Sequence, residues 1–205
     1  MKICNIKYMI LFSVCLLTMQ NIDGICKIVP LETQHLILRK MEIDDAQDIA
    51  KIALNSKVTQ LTGLFPQMSS LEEVQDYIAT FLVGDSAQGI NPLYSMTWSM
   101  VDKKSQQVIG LVVFCGYSER HQRAELAYAV LPDYWNCGYT TQACQAIIKY
   151  ALDQGICRIY ATVDPENIAS QRVLEKLGMS YEGLLRSYMI VGGERKDRKI
   201  YAIVK

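Results

Sequence analysis

Residues 125–183 carry, in order, an apolar strand, the turn Trp135-Asn136-Cys137-Gly138-Tyr139-Thr140, an amphipathic helix, a second apolar strand and the tetrad Asn167-x-x-Ser170. This order predicts a parallel strand, helix, strand unit, which limits the fold more than any other feature of the chain. Pro132 and Gly138 bracket the break between the strand at 126–131 and the helix. Backbone N–H groups of the turn and of the first helical turn therefore face outward without partners, and a helix start of that kind attracts phosphate. Gly138 lacks a Cβ and lets the backbone approach a bulky anion, while Thr140 and Thr141 add hydroxyl donors. On the glycine alone, an ordinary strand-turn-helix corner is the simpler reading.

The helix is marked by Ala143, Ala146, Ile147, Tyr150 and Ala151, one apolar stripe with Gln142, Gln145 and Lys149 turned outward. It ends at Gly155, a suitable C′ residue. Residues 156–163 read as a buried strand, and Asp164-Pro165-Glu166-Asn167 opens another helix that closes at Gly178. Open sheets place ligands beyond the carboxyl ends of their strands, where both Gly138 and Asn167 fall.

The strings AELAYAVLPDYWNCGYTTQA, ATVDPENIASQRVLEKLGMSYEG and DRKIYAIV, in this order, resemble the GNAT superfamily of acyl-CoA-dependent N-acetyltransferases. The similarity is closer to the branch that contains ribosomal-protein N-terminal acetyltransferases, and it extends back to Leu31-Glu32-Thr33. The resemblance implies a single domain at 29–205, of mixed α/β class, with a central, partly antiparallel sheet flanked by helices. It implies acetyl-CoA in a cleft between the two central strands. The pantetheine would run along Tyr128, Val130 and Leu131, and the pyrophosphate would rest on Trp135, Asn136, Cys137, Gly138, Tyr139, Thr140 and Thr141. Asn136 stands where the branch favours Gly, Thr140 where a small residue is usual, and Gln142 replaces a common Glu. The resemblance further implies that the acetyl group would pass directly to an amine, either a protein N-terminus or a small molecule such as a polyamine or aminoglycoside. A non-catalytic acyl-CoA-binding or regulatory module with a decayed site is the alternative.

Such a transfer needs a base for the acceptor ammonium and an acid for the departing thiolate, because an amine attacks through a free lone pair. Glu125, entering the central strand from the cleft side, matches the acidic position the family places before the cofactor strand. Its plain alternative is a surface carboxylate paired with Arg120 or Arg123. Ser170 and Asn167 match the branch's Asn-x-x-Ser and would hold the pantetheine end or stabilise the thiolate; helix capping explains them equally well. Tyr181 and Tyr188 are reserve acids. Met189 occupies a place near which some relatives carry Glu. A backbone N–H near Val130 would polarise the thioester carbonyl.

The upstream chain fits the same layers. Residues 35–40 alternate as a strand, Asp44-Asp45-Ala46 leads a helix, and Ser69 or Ser70 starts another with Glu72 and Glu73 in its first turn and Val74, Tyr77, Ile78 and Phe81 apolar. Strands at 94–101, 108–117 and 125–130 form an antiparallel meander leading into the parallel unit, and carboxyl-terminal strands fall at 187–191 and 199–204. Leu64, Phe65 and Tyr77 are candidates to line the acceptor pocket, with core or loop packing as the alternative. Either a monomer or pairing through an exposed carboxyl-terminal edge is allowed.

Lysine plus arginine and aspartate plus glutamate each total 21, so the chain lacks the basic footprint of a nucleic-acid binder. Seven cysteines without a C-x-x-C pair, beside two histidines, argue against a zinc site or a disulfide framework. Cys115 and Cys157 read as core fillers, and Cys137, with no histidine near it in sequence, is a poor candidate for a catalytic thiol. Residues 1–28 differ from the rest, with Lys2 and Lys7 ahead of an apolar run at 8–19 that is short for a membrane span. A cytoplasmic protein is expected, since acetyl-CoA is kept there. Export or membrane attachment through residues 8–19 is the alternative, as is a later start at Met9 or Met19.

Overall fold

The computed structural model describes residues 28–62, 64–84, 96–191 and 193–205. The apolar run at 8–19, the Phe81 side chain and the beginning of the strand expected from residue 94 lie outside them. The strands are β1 (Leu31–Glu32), β2 (Leu36–Lys40), β3 (Met96–Asp102), β4 (Val108–Ser118), β5 (Arg123–Val130), β6 (Arg158–Val163), β7 (Ser180–Val191) and β8 (Glu194–Val204). The helices are α1 (Ala46–Ala53), α2 (Ser56–Thr59), α3 (Leu71–Gly84), α4 (Tyr139–Asp153) and α5 (Ile168–Lys176). The strands form one sheet in the order β1-β2-β3-β4-β5-β6-β8-β7. All neighbours are antiparallel except β5 and β6, joined through the α4 crossover.

Period-two alternation explains the layering. In β4, Ile109, Val112 and Phe114 enter one core while Val108, Leu111 and Val113 enter another on the opposite face. The strand is thus apolar on both sides, as a central strand must be. The first core is roofed by the predicted stripe of α4, with Ala143, Ile147 and Ala151 buried together with Cys144 and Ile148, and by Leu174 of α5. Trp98 and Phe114 meet edge-to-face inside it, ring centroids 5.8 Å apart. The second core is roofed by α1, α2 and α3, whose Ile49, Val58, Val74 and Ile78 pack onto β3 and β4.

Asp44-Asp45-Ala46 leads a helix as expected: Ile43–Asp45 form a 3-10 turn, Asp45 is the N-cap residue and α1 begins at Ala46. Asp45 is buried on the sheet and takes two hydrogen bonds from Arg39, at 2.8 and 2.7 Å, and one from Ser99 at 3.0 Å. Burial pulls its carboxyl upward, but the Arg39 guanidinium, the Glu42 N–H and the Ser99 hydroxyl together hold it below the ordinary value. The start of α3 is as predicted, with Ser70 Oγ accepting from Glu73 N–H at 3.2 Å. The carboxyl-terminal strands are much longer than expected. β7 runs from Ser180 and pairs along β8 with an irregularity between Leu185 and Met189, where Ser187 takes φ +52°.

Gly110 lies where three strands crowd. A Cβ built there would sit 2.7 Å from the Ala129 carbonyl oxygen and 2.9 Å from Met100 Sδ. Gly110→Ala is therefore expected to destabilise the fold by about 1–3 kcal/mol, read as a lowered midpoint in thermal or urea unfolding; an unchanged midpoint would refute this packing account.

Candidate active site

β5 and β6 bond each other over three rungs only, Arg123 to Arg158, Ala124 to Ile159 and Glu125 to Tyr160. Past Glu125 the strands separate: β5 continues along β4 and β6 along β8. The opening lies at the carboxyl ends of both parallel strands, between α4 and α5. Leu131 N–H reaches Ile109 O at 2.9 Å. By the alternation of an antiparallel ladder, the N–H groups of Tyr128 and Val130 point the other way, into the opening. Trp135 folds back so that its indole N–H donates to Val130 O at 2.9 Å, fixing the turn against the strand.

In that turn Asn136 has φ +59° and Gly138 φ +80°, two left-handed residues with one residue between them. Asn replaces the branch's usual Gly without loss of backbone shape, because Asn tolerates this region better than most residues. Gly138 caps α4, and Gln142 N–H returns to its carbonyl at 3.0 Å. Among the described residues, the N–H groups of Asn136, Cys137, Gly138, Tyr139, Thr140 and Thr141 have no hydrogen-bond acceptor. A Cβ at Gly138 would meet nothing within 4 Å, so the space above it is open. These residues fit a pyrophosphate: outward N–H groups, a positive helix end and no side chain in the way. The exposed Cys137 thiol points back to Trp135 O at 3.4 Å. Gln142 accepts from Thr33 Oγ1 at 3.4 Å, and His35 stacks edge-on against Tyr139 with centroids 5.7 Å apart.

Glu125 closes the last rung and, by alternation with Leu126 and Ala124, faces away from α4 and α5. It does not pair with Arg120 or Arg123. Its Oε1 accepts from Thr162 Oγ1 at 2.8 Å. Burial raises its carboxyl above the ordinary value, opposed by the hydroxyls of Thr162 and Tyr160 and by the charge of Arg198. Tyr160 and Tyr188 are in turn raised, by burial first and then by the Glu125 charge. The neighbouring Cys115 thiol is pushed up to about 12 by burial, then by Glu125, and is inert as a nucleophile. Cys157 precedes β6 instead of filling the core, and its thiol donates to Gln122 Oε1 at 3.1 Å.

On the other side of the opening, Tyr128 and Ser170 share a hydrogen bond of 2.8 Å between their hydroxyls. Burial drives the Tyr128 hydroxyl well above its ordinary value, keeping it a protonated donor. Asn167 is the N-cap of α5, its Oδ1 accepting from Ser170 N–H at 3.0 Å, so capping accounts for that oxygen. The predicted residues thus gather around one opening, with Glu125 and Ser170 on opposite faces of the sheet. Tyr181 lies apart, stacked on Tyr201 at 5.5 Å on the α5 side. Leu64, Phe65 and Tyr77 meet over Thr97, Leu111 and Val113, a seam beside the Glu125 face. Sequence reasoning missed Tyr160, Thr162 and Arg198. The alternation of Ile159, Ala161 and Val163 with Arg158, Tyr160 and Thr162 was the readable signal for the first two.

A sheet that parts between two parallel strands, with an anion-receptive helix start at the parting and a carboxylate beside it, defines an acyl-CoA-dependent transferase. The family model for the acetyltransferase (GNAT) domain matches residues 35–180, and the chain belongs to that family. The chain is 34% identical over 177 residues to the uncharacterized N-acetyltransferase YoaA of Bacillus subtilis, covering 85% of this chain and 96% of that protein. Among solved structures, a GNAT-family acetyltransferase from Bacillus anthracis superimposes with TM-score 0.72 at 26% identity, covering 86% of this chain and 98% of the other. The ribosomal-protein alpha-N-acetyltransferase RimL, solved in complex with coenzyme A, shares the fold with TM-score 0.73 at 19% identity over 87% of this chain and 98% of its own. The chain is an N-acetyltransferase that transfers an acetyl group from acetyl-CoA to an amine. No helix among the described residues is long and apolar enough to cross a membrane.

Proposed function

We propose that the acceptor is the α-amine of a peptide or protein N-terminus, received on the Glu125 face of the opening. The observation that carries this reading is the state of the acids upstream. Asp45 is held by Arg39 and Ser99, Asp48 by Val108 N–H and Lys51, and Glu73 by the cap of α3. Three of the acids that could hold a polyamine are thus engaged in structural bonds. The long edge hairpin of β7 and β8 borders the face instead, with exposed Tyr188 and Ile190, a wall suited to a chain end. The ribosomal-protein enzyme RimL supports the same acceptor class by fold.

Acetyl-CoA supplies the acyl group as an activated thioester. The outward N–H groups from Asn136 to Thr141 hold its phosphates, and Tyr128 and Val130 N–H line its arm. Glu125 takes the proton of the incoming ammonium, directly or through water, while Thr162 fixes the carboxylate. Val130 N–H is placed to stabilise charge on the acyl oxygen. Ser170 Oγ, hydrogen-bonded to the Tyr128 hydroxyl at 2.8 Å, donates a hydrogen bond that stabilises the departing thiolate, which takes its proton from water. The test offers acetyl-CoA with a panel of free-N-terminal peptides, spermidine and an aminoglycoside, scored by mass. Peptide α-acetylation as the dominant product is expected; spermidine outrunning every peptide would replace this acceptor with a polyamine.

A further inference from the structure

Arg198 of β8 is only 5% exposed, a burial that a guanidinium tolerates when its donors meet anions. Here they do not. Its Nε donates to the Met189 thioether sulfur at 2.8 Å, and its one ion-pair partner among the described residues, Asp164, stands 3.8 Å from Nη1. A thioether is a weak, uncharged acceptor, and 3.8 Å is beyond hydrogen-bond range. A buried cation is thus held with no anion bonded to it.

Its orientation connects it to the site. Lys199 Nζ and Tyr201 OH reach Gln171 of α5, so Arg198 and Ile200 face the opposite way, toward Glu125. Thr162, which holds the Glu125 carboxylate, pairs with Ile200. Arg198 lies two residues further along β8, about 7 Å away at the usual strand rise. Base and cation therefore share one face, close enough for the Arg198 charge to act on the Glu125 carboxyl. Met189, unbranched and adaptable, is a cover that a ligand can displace.

We propose that Arg198 binds a carboxylate of the acceptor, making the preferred substrates primary amines with an acid group a few bonds away. A peptide that begins with Asp or Glu and a free α-amino acid both offer this chemistry. The inference rests on the reading of the Glu125 face as the acceptor site.

The experiment measures kcat/KM with the full chain for peptides differing only in the first residue, Asp, Glu, Ala or Ser, and for free aspartate and glutamate. Acid-bearing acceptors are expected to lead by about 10-fold or more. Arg198→Met should remove that lead while the KM for acetyl-CoA stays constant. Met189→Glu, which places an internal carboxylate on the guanidinium, should remove it as well in a protein whose folding is verified by thermal denaturation. Equal rates for acidic and neutral peptides in the parent chain, or a lead that persists in Met189→Glu, overturn the inference and leave the peptide reading intact. A lead confined to free amino acids keeps the inference and overturns the peptide acceptor. Failure to acetylate any α-amine overturns both.

Discussion

Replacement of Glu125 by Gln is expected to lower kcat by about 10²–10³-fold near neutral pH, with little change in the KM for acetyl-CoA. Gln keeps the size of the side chain and its acceptor for Thr162 Oγ1, so the loss isolates the proton transfer. The environment of Glu125 gives the prediction a second, independent signature. Thr162 on β6 donates to it, Tyr160 on the same strand favours its charged form, Arg198 on β8 adds positive charge, and Tyr188 on β7 and Cys115 on β4 feel its charge. Burial dominates and raises the carboxyl above the 4.5 of a free glutamate. A base works only when ionised, so activity of the parent enzyme should fall as pH drops through that raised value. The acid limb should be missing from the residual activity of the variant. Linkage gives the stability counterpart: with the folded value raised, the contribution is fully present below 4.5 and is lost as pH rises through the folded value. The variant should therefore gain on the parent in thermal midpoint as pH rises. A pH-rate profile of Glu125→Gln that retains the parental acid limb would remove Glu125 from the role of base.

The second large effect falls on the turn. Gly138→Val places a β-branched side chain at φ +80°, a region that costs such residues about 1–3 kcal/mol. It also fills the open space above the N–H groups of Asn136 to Thr141. Acetyl-CoA affinity is expected to fall by on the order of 10²-fold, or ~2.7 kcal/mol, with kcat at saturating cofactor much less affected. Asn136→Gly is the matched control, because it keeps φ +59° accessible and adds no bulk. Calorimetric titration of acetyl-CoA checks both, and equal affinity in Gly138→Val and the parent would move the phosphate site elsewhere.

Much of this was legible before any coordinates because it is written in local terms. The stripe from Ala143 to Ala151, the glycines at 138, 155 and 178, all with positive φ, and the cap at Asn167 are short-range signals, and each appears where the sequence places it. What sequence reasoning missed depends on partners far along the chain. Glu125 is bonded to Thr162, 37 residues on, where nearby arginines were the only partners a linear reading offers. Arg198 looks like a surface residue in a charged stretch, yet the hairpin carries it under Met189. The extent of β7 was hidden because its burial follows no clean alternation and it bends at Ser187. Asp45 does lead its helix, but the partners of its carboxylate, Arg39 and Ser99, lie on other elements.

The three-rung seam between β5 and β6 has a bearing on how this protein can be improved. A designer seeking heat resistance would see two parallel strands drifting apart and would be tempted to bring them together. Each added rung would satisfy backbone groups and bury apolar surface, so the unfolding temperature would climb. Every such rung would also occupy the space through which the acyl donor reaches Glu125. In this chain the weakest part of the sheet and the place of reaction are one structure, and robustness has to be sought in the two cores and the outer hairpin.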